Sequence, residues 1–192
     1  MNEPELSTAI EALLVERNLR QMQVARDALK PGYCLRAARH LRGIGGTVVI
    51  GTGFPVTGTF ETDGPVGAIA LYQSLEELGA EPVIACGPPL SGAITGDYRT
   101  LELVARSLEE ATRDAIAALR RLQPEAIVSI ECPGLARDGH YYNMRGENIT
   151  SRCAIFDPYI THAECPTIAI GDGGNEIGMD NIAAAIAELD IT

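Results

Sequence analysis

The feature that most restricts this chain is a set of short apolar runs recurring between longer amphipathic stretches. Thr47 to Ile50, Pro82 to Cys86, Ala126 to Ile130 and Thr167 to Ile170 hold four or five residues each, and the first is wholly β-branched between glycines. Runs this short, bounded by turn residues, read as strands of a buried sheet. Helical spacing lies between and around them, in Pro4 to Leu29 (Leu6, Ile10, Leu13, Leu14, Val15), Leu35 to Leu41, Gly64 to Leu78, Arg99 to Leu122 and Asn181 to Leu189. Strands that alternate with helices imply βαβ units. The expected fold class is α/β, a three-layer sandwich around a mainly parallel, Rossmann-like sheet. The length of 192 residues suits one domain, and no internal repeat divides it.

The polar residues are concentrated where such a sheet binds ligands, outside the carboxyl ends of its strands. Three clusters follow strands directly: GTGFPVTGTFETDGPVGA from Gly51, ECPGLARDGHYYNMRG from Glu131, and GDGGNEIGMDN from Gly171. All three are expected at one cleft. In the first, Asp63 suits a helix cap before Gly64 and Pro65. Thr52, Gly53 and the amides of Gly64 to Gly67 offer an alternative use, receiving a carboxylate or phosphate. In the second, Glu131 directly follows an apolar strand, so its carboxylate must be protonated, metal-bound, or paired with a base such as Arg137 or Arg145. Tyr142 and Asn143 offer a phenol and an amide to a polar ligand. His140 beside Asp138 reads as a loop histidine, and Cys132 lacks an identifiable partner for nucleophilic work.

The third cluster carries more chemistry than a turn requires. A strand-to-helix turn can be made with one glycine and one capping residue. Capping explains Asn175, but Asp172 and Glu176 are left over, with Asp180 one helical turn beyond. Hard oxygen donors of this kind suit Mg²⁺, Mn²⁺ or Ca²⁺, although the spacing is not that of an EF-hand.

Several classes are excluded by what is missing. A formal charge of −11 argues against a nucleic-acid partner. No apolar run approaches the roughly 18 residues of a membrane span. The spacing around Gly51 is not GxGxxG and no GKS or GKT occurs, so no nucleotide cofactor is expected. Five cysteines without a CxxC pair suit reduced thiols. With an acidic start unlike a signal or transit peptide, the expected location is cytoplasmic.

Taken together, GTGFPVTGTFETDGPVGA, SIECPGLARDGHYYNMRG and PTIAIGDGGNEIGMDN resemble successive blocks of the D-glutamate cyclase family, in its cyclase-like domain. The resemblance runs from about Gly32 to the end. It implies an N-terminal helix over 1–31 and an α/β domain over 32–192. The family's second block usually reads IERPG, so Cys132 stands in place of an Arg that would be one partner for a substrate carboxylate. The family domain generally continues past the third block with at least one more strand, so a C-terminally incomplete domain is expected. An apolar edge strand left by such an ending would be covered by assembly into a homo-oligomer.

The resemblance implies a lyase that converts D-glutamate to 5-oxo-D-proline and water. That chemistry needs the γ-oxygens neutralised and a proton removed from nitrogen. Glu131, Asp63 and Asp172 are the expected catalytic carboxylates. Asp172, Glu176 and Glu131 are the expected ligands of a divalent cation, Mg²⁺ or Mn²⁺. Thr52, Gly53, Gly64, Gly67, Tyr142, Asn143, Arg145 and Asn175 are expected to hold the small acidic amino acid. Two other readings stay open: an enzyme acting on another small carboxylate or phosphorylated metabolite, and a non-catalytic ligand-binding domain.

Overall fold

The computed structural model describes residues 1–187, so the end of the expected closing helix lies outside the described residues. The four apolar runs are all strands: β1 (Thr47–Thr52), β4 (Glu81–Cys86), β6 (Ala126–Ile130) and β7 (Thr167–Ile170). With β5 (Thr100–Glu102) they form one sheet in the order β5-β4-β1-β6-β7, every pairing parallel. Between β1 and β4 lies a two-stranded hairpin of β2 (Pro55–Val56) and β3 (Thr59–Phe60), which periodicity does not reveal.

Alternation along each strand feeds two cores. Val48, Ile50, Ile84, Cys86 and Val128 face α4 (Asp63–Glu77) and α5 (Leu90–Ile94), packing against Ala68, Tyr72, Leu75 and Leu90. Val49, Ala85 and Ile127 face the other way, toward Ala115 and Ala118 of α6 (Leu108–Leu122) and Phe156 and Tyr159 beside and on α7 (Asp157–Thr161). Each large apolar side chain so buried contributes about 1.5–3 kcal/mol. The result is an α/β sandwich of the expected kind. β1 is buried at every position, whereas β7 is an edge strand with Ile170 half exposed.

Two helical stretches differ from their sequence patterns. The expected helix from Arg99 begins instead at Leu108, where the Ser107 hydroxyl accepts from the Glu110 amide; β5 occupies the residues before it. The expected helix over Pro4 to Leu29 breaks into α1 (Glu3–Leu14), a 3-10 turn (Leu19–Gln21) and α2 (Met22–Ala28). Asn18, Arg20 and Gln21 take left-handed backbone at the break.

The row Leu6, Ile10, Leu13 and Leu14 that marks α1 as a helix faces solvent, while Ser7 and Glu11 are buried. They cap α3 (Tyr33–Leu41), whose own N-cap is Gly32 and has no side chain to offer. Glu11 accepts from the amides of Gly32 and Cys34, and Ser7 accepts from Leu35. A short α8 (Ala183–Ile186) follows the third cluster and meets α2. No helix among the described residues is long and apolar enough to cross a membrane.

Candidate active site

The sheet changes direction at β1. From there the chain proceeds outward through β4 to β5, then returns to the other side of β1 for β6 and β7. A crevice therefore opens at the carboxyl ends of β1 and β6, the usual ligand position in such sheets. Thr52 pairs with Ile130 and Ile130 with Ile170, so the next residues, Gly53, Glu131 and Gly171, emerge side by side.

The second and third clusters are joined by backbone. The amide of Ile177 donates to the Cys132 carbonyl at 3.0 Å and that of Gly134 to the Asn175 carbonyl at 2.9 Å. This short antiparallel zipper draws Glu131 and Glu176 together. Asp172 joins them, and one carboxylate oxygen of each lies within 4.8 Å of the others. Glu131 itself has φ +51, a left-handed conformation that non-glycine residues hold only where the surroundings impose it and that clusters at functional sites.

The electrostatics follow from the crowding. Burial first, and then the negative charges of Glu176, Asp172 and Asp63, push the Glu131 carboxyl up to about 8, with Arg20 pulling the other way. Glu176 is 6% exposed. Its burial raises its carboxyl too, against the amides of Gly173 and Gly174, which donate to Oε2 at 3.1 and 2.9 Å. Asp172 stays open to solvent and is paired with the Arg20 guanidinium.

These groups line a cavity of about 380 Å³, within the range of small-molecule sites. Of the expected site residues it brings together Glu131, Asp172, Glu176, Asn143, Arg145 and Asn175. Asn175 donates its amide to the Tyr142 carbonyl and leaves Oδ1 buried with no partner. Asn143 reaches the wall, but its side chain is engaged with the Arg145 amide and with Glu147 in its own turn.

The remaining expected residues do not line this cavity. The Tyr142 phenol donates to Asp138 on the surface. Gly53 lines a neighbouring cavity with Pro88, Leu90 and Arg106. Thr52 is buried behind Gly64, its hydroxyl unpartnered. Gly67 lies inside α4 against Ile130. Gly64 is needed for packing, since a Cβ there would meet Glu131 Cβ at 2.8 Å and Thr52 Oγ1 at 2.9 Å.

The start of α4 is also unsuited to an anion. The Gly64 amide donates to the Asp63 carboxylate, Pro65 has no N–H, and the Val66 amide bonds Thr62. Asp63 occupies the first helical position with Thr62 before it, so Asp63 is not the N-cap. Glu61 alongside, itself raised by burial and then by Asp63, adds a further negative charge.

Neither Arg137 nor Arg145 forms an ion pair with Glu131 among the described residues. Cys132 turns into the core with Phe156, Tyr159 and Ile177, its thiol pushed up to about 12 by burial. Its side chain lies outside the cavity lining. Of the cavity's other charged groups, Glu61 belongs to the first cluster, whereas Arg20, Glu147 and Arg152 come from outside the three clusters. For Arg20 the available signal was Asn18, a residue type tolerant of left-handed backbone, where the apolar spacing of the helix lapses.

Comparison with known proteins shows the family. The chain is 32% identical to the human protein "D-glutamate cyclase, mitochondrial", the alignment covering 83% of this chain and 29% of the human one. It thus spans less than a third of that relative's length. The sequence model of the family described as "D-glutamate cyclase-like, C-terminal" matches residues 10–191, nearly the whole chain. With its three blocks folded onto one cleft, this chain belongs to the family of D-glutamate cyclase-like C-terminal domains.

Proposed function

We propose that this protein is a lyase that closes D-glutamate into 5-oxo-D-proline with loss of water. The observation that carries the reading is the convergence of Glu131, Asp172 and Glu176 in a cavity that also holds arginines, in a chain of this family. The α-amine attacks the γ-carboxyl carbon, a C–N bond forms, and one γ-oxygen leaves as water with protons supplied from the site and the amine. Glu131 is suited to that proton traffic. In the cation-free protein its carboxyl near 8 holds a proton at neutrality, a proton that binding of an ion would displace. Glu176 is fixed by two amides, and Asp172 lies at the solvent side paired with Arg20.

The donor set fits a divalent cation. Three carboxylates with oxygens this close repel when ionised, Arg20 offsets only part of that charge, and Asn175 Oδ1 supplies a further buried oxygen with no protein partner. Glu131, Asp172, Glu176 and Asn175 would hold the ion, which would act as a Lewis acid on the carboxyl group under attack. A non-catalytic ligand-binding domain is the second reading, favoured by the Arg20 pair that already engages one of the three carboxylates.

Purified protein incubated with D- or L-glutamate, with and without Mn²⁺ or Mg²⁺, should release 5-oxoproline from the D-isomer, followed by mass spectrometry. Asp172→Asn should cut that release and abolish the thermal stabilisation by Mn²⁺, about 2.7 kcal/mol at a hundredfold excess over Kd. Binding of D-glutamate without any product would select the second reading. No product from either isomer, with an unfolding midpoint indifferent to cations, would remove the proposal.

A further inference from the structure

The cavity has two ends of different character. At its inner end Glu176 is buried and Glu131 partly so, while at its outer end Arg20 and Asp172 keep 41% and 55% of their side-chain surface in solvent. Arg20 comes from the turn between α1 and α2, far from every glycine-rich block. That turn holds Asn18, Arg20 and Gln21 at φ of 48°, 54° and 57°, conformations that cost energy unless tertiary contacts impose them. The contact made here is with Asp172, through Nη1.

A guanidinium has five N–H donors arranged as a fork that matches a carboxylate. The Asp172 contact is the one hydrogen bond of the Arg20 side chain among the described residues. Its remaining donors are left at the mouth of the cavity. Of the cavity's three arginines, Arg20 is the one held against a member of the carboxylate cluster. The α4 start uses its own amides and is ringed by Glu61, Asp63 and Glu131. Arg152 donates to Thr57, and Arg145 lines the cavity from the second cluster without contacting the carboxylates among the described residues.

We infer that Arg20 binds the carboxylate of the substrate that does not react, and so makes the site selective for a dicarboxylate. The inference rests on the cyclase reading and adds the group that recognises the second acid. The reacting carboxyl lies inward at Glu131 and Glu176, and the other reaches the guanidinium outside, sharing it with Asp172 or displacing that side chain. The N-terminal segment is then part of the site.

Calorimetric titration of the whole chain, in Mn²⁺ buffer, with glutarate and with butyrate tests this directly. Neither probe has an amine to cyclise, and they differ by one carboxylate. Arg20→Met should weaken glutarate roughly tenfold to a hundredfold, the range for a charged hydrogen-bonding partner, and leave butyrate unchanged. Arg20→Lys, which keeps the charge and loses the fork, should fall between. For D-glutamate, KM should rise in Arg20→Met with kcat held within about threefold.

Unchanged glutarate affinity in Arg20→Met, or an equal loss for butyrate, overturns the inference. If circular dichroism shows Arg20→Met unfolded, the glutarate-to-butyrate ratio in Arg20→Lys decides in the same way. A wild type that loses glutarate on Arg20→Met but never forms 5-oxoproline removes the cyclase reading and leaves the recognition role. A wild type that turns over D-glutamate and ignores the mutation does the reverse, and one that binds neither probe overturns the inference.

Discussion

The strand-to-helix crossovers after β1 and after β7 both carry glycines and carboxylates, yet they use them differently. After β1, Gly64 lets the helix start press against Glu131 and Thr52, and Asp63 takes the Gly64 amide. After β7, the amides of Gly173 and Gly174 are directed at the Glu176 carboxylate, which is thereby held buried beside Glu131. One crossover is packing and the other is a cradle. A glycine-rich loop at the carboxyl edge of a sheet thus does not by itself mark a ligand site; the partner of each amide decides.

The largest test is steric. Gly64→Ala places a methyl 2.8 Å from Glu131 Cβ and 3.3 Å from the Ile130 carbonyl. Neither atom is the end of a flexible chain. The change should cost about 3 kcal/mol, at the upper part of the usual range for overpacking, as read by chemical denaturation. One turn further on, Gly67→Ala meets only Ile130 Cγ2 at 3.6 Å and should be neutral or stabilising by up to about 1 kcal/mol. Equal losses at both positions would contradict a role for Gly64 specific to close packing.

The second test is electrostatic. In the cation-free protein Glu131 keeps its proton up to about 8, while the unfolded chain loses it near the ordinary carboxylate value of about 4.5. Between those limits the folded state binds more protons, so stability must fall as pH rises, and the slope ends above about 8. After discounting for residual solvent contact, the fall should be about 1–2 kcal/mol. Glu131→Gln should flatten the curve, and Mn²⁺ should offset the fall. A stability curve rising across that window in the cation-free wild type would refute the crowding.

The smallest effect on stability is expected in the cradle. A Cβ at Gly173 meets Glu176 Oε1 at 2.7 Å and Asn175 Oδ1 at 2.9 Å, side-chain ends that can move aside. Gly173→Ala should change stability within about 1 kcal/mol. It should nevertheless weaken Mn²⁺ binding measured by calorimetry, because the displaced atoms are the proposed ligands. Stability lost without any change in Mn²⁺ binding would make this crossover packing as well.

The sheet was legible because four of its strands are short apolar runs, a pattern fixed by burial of the strands. β5 was hidden since Thr100 to Glu102 is brief, polar at both ends and continuous with a helical pattern. The carboxylate trio was legible because each member directly follows a strand or lies in a loop with more acids than capping explains. Tyr142 was misplaced because period and composition do not say which way a loop side chain turns; Asp138, four residues back, claims its hydroxyl. Arg20 was out of reach for another reason. Its position depends on where α1 and α2 dock, and α1 docks by its polar residues, contrary to its own apolar row.

That docking has a thermodynamic signature. Helix α1 is attached through the clasp of Ser7 and Glu11 on the α3 amides, so releasing it uncovers polar groups more than hydrocarbon. The heat capacity of unfolding and the denaturant slope both scale with newly exposed surface, the first chiefly with its apolar part. Release of α1 would therefore barely register in a melting curve. Amide hydrogen exchange would see it at Gly32, Cys34 and Leu35, whose protection depends on the clasp. The segment carrying Arg20 is thus held by a polar latch whose opening is nearly silent in bulk unfolding and distinct residue by residue.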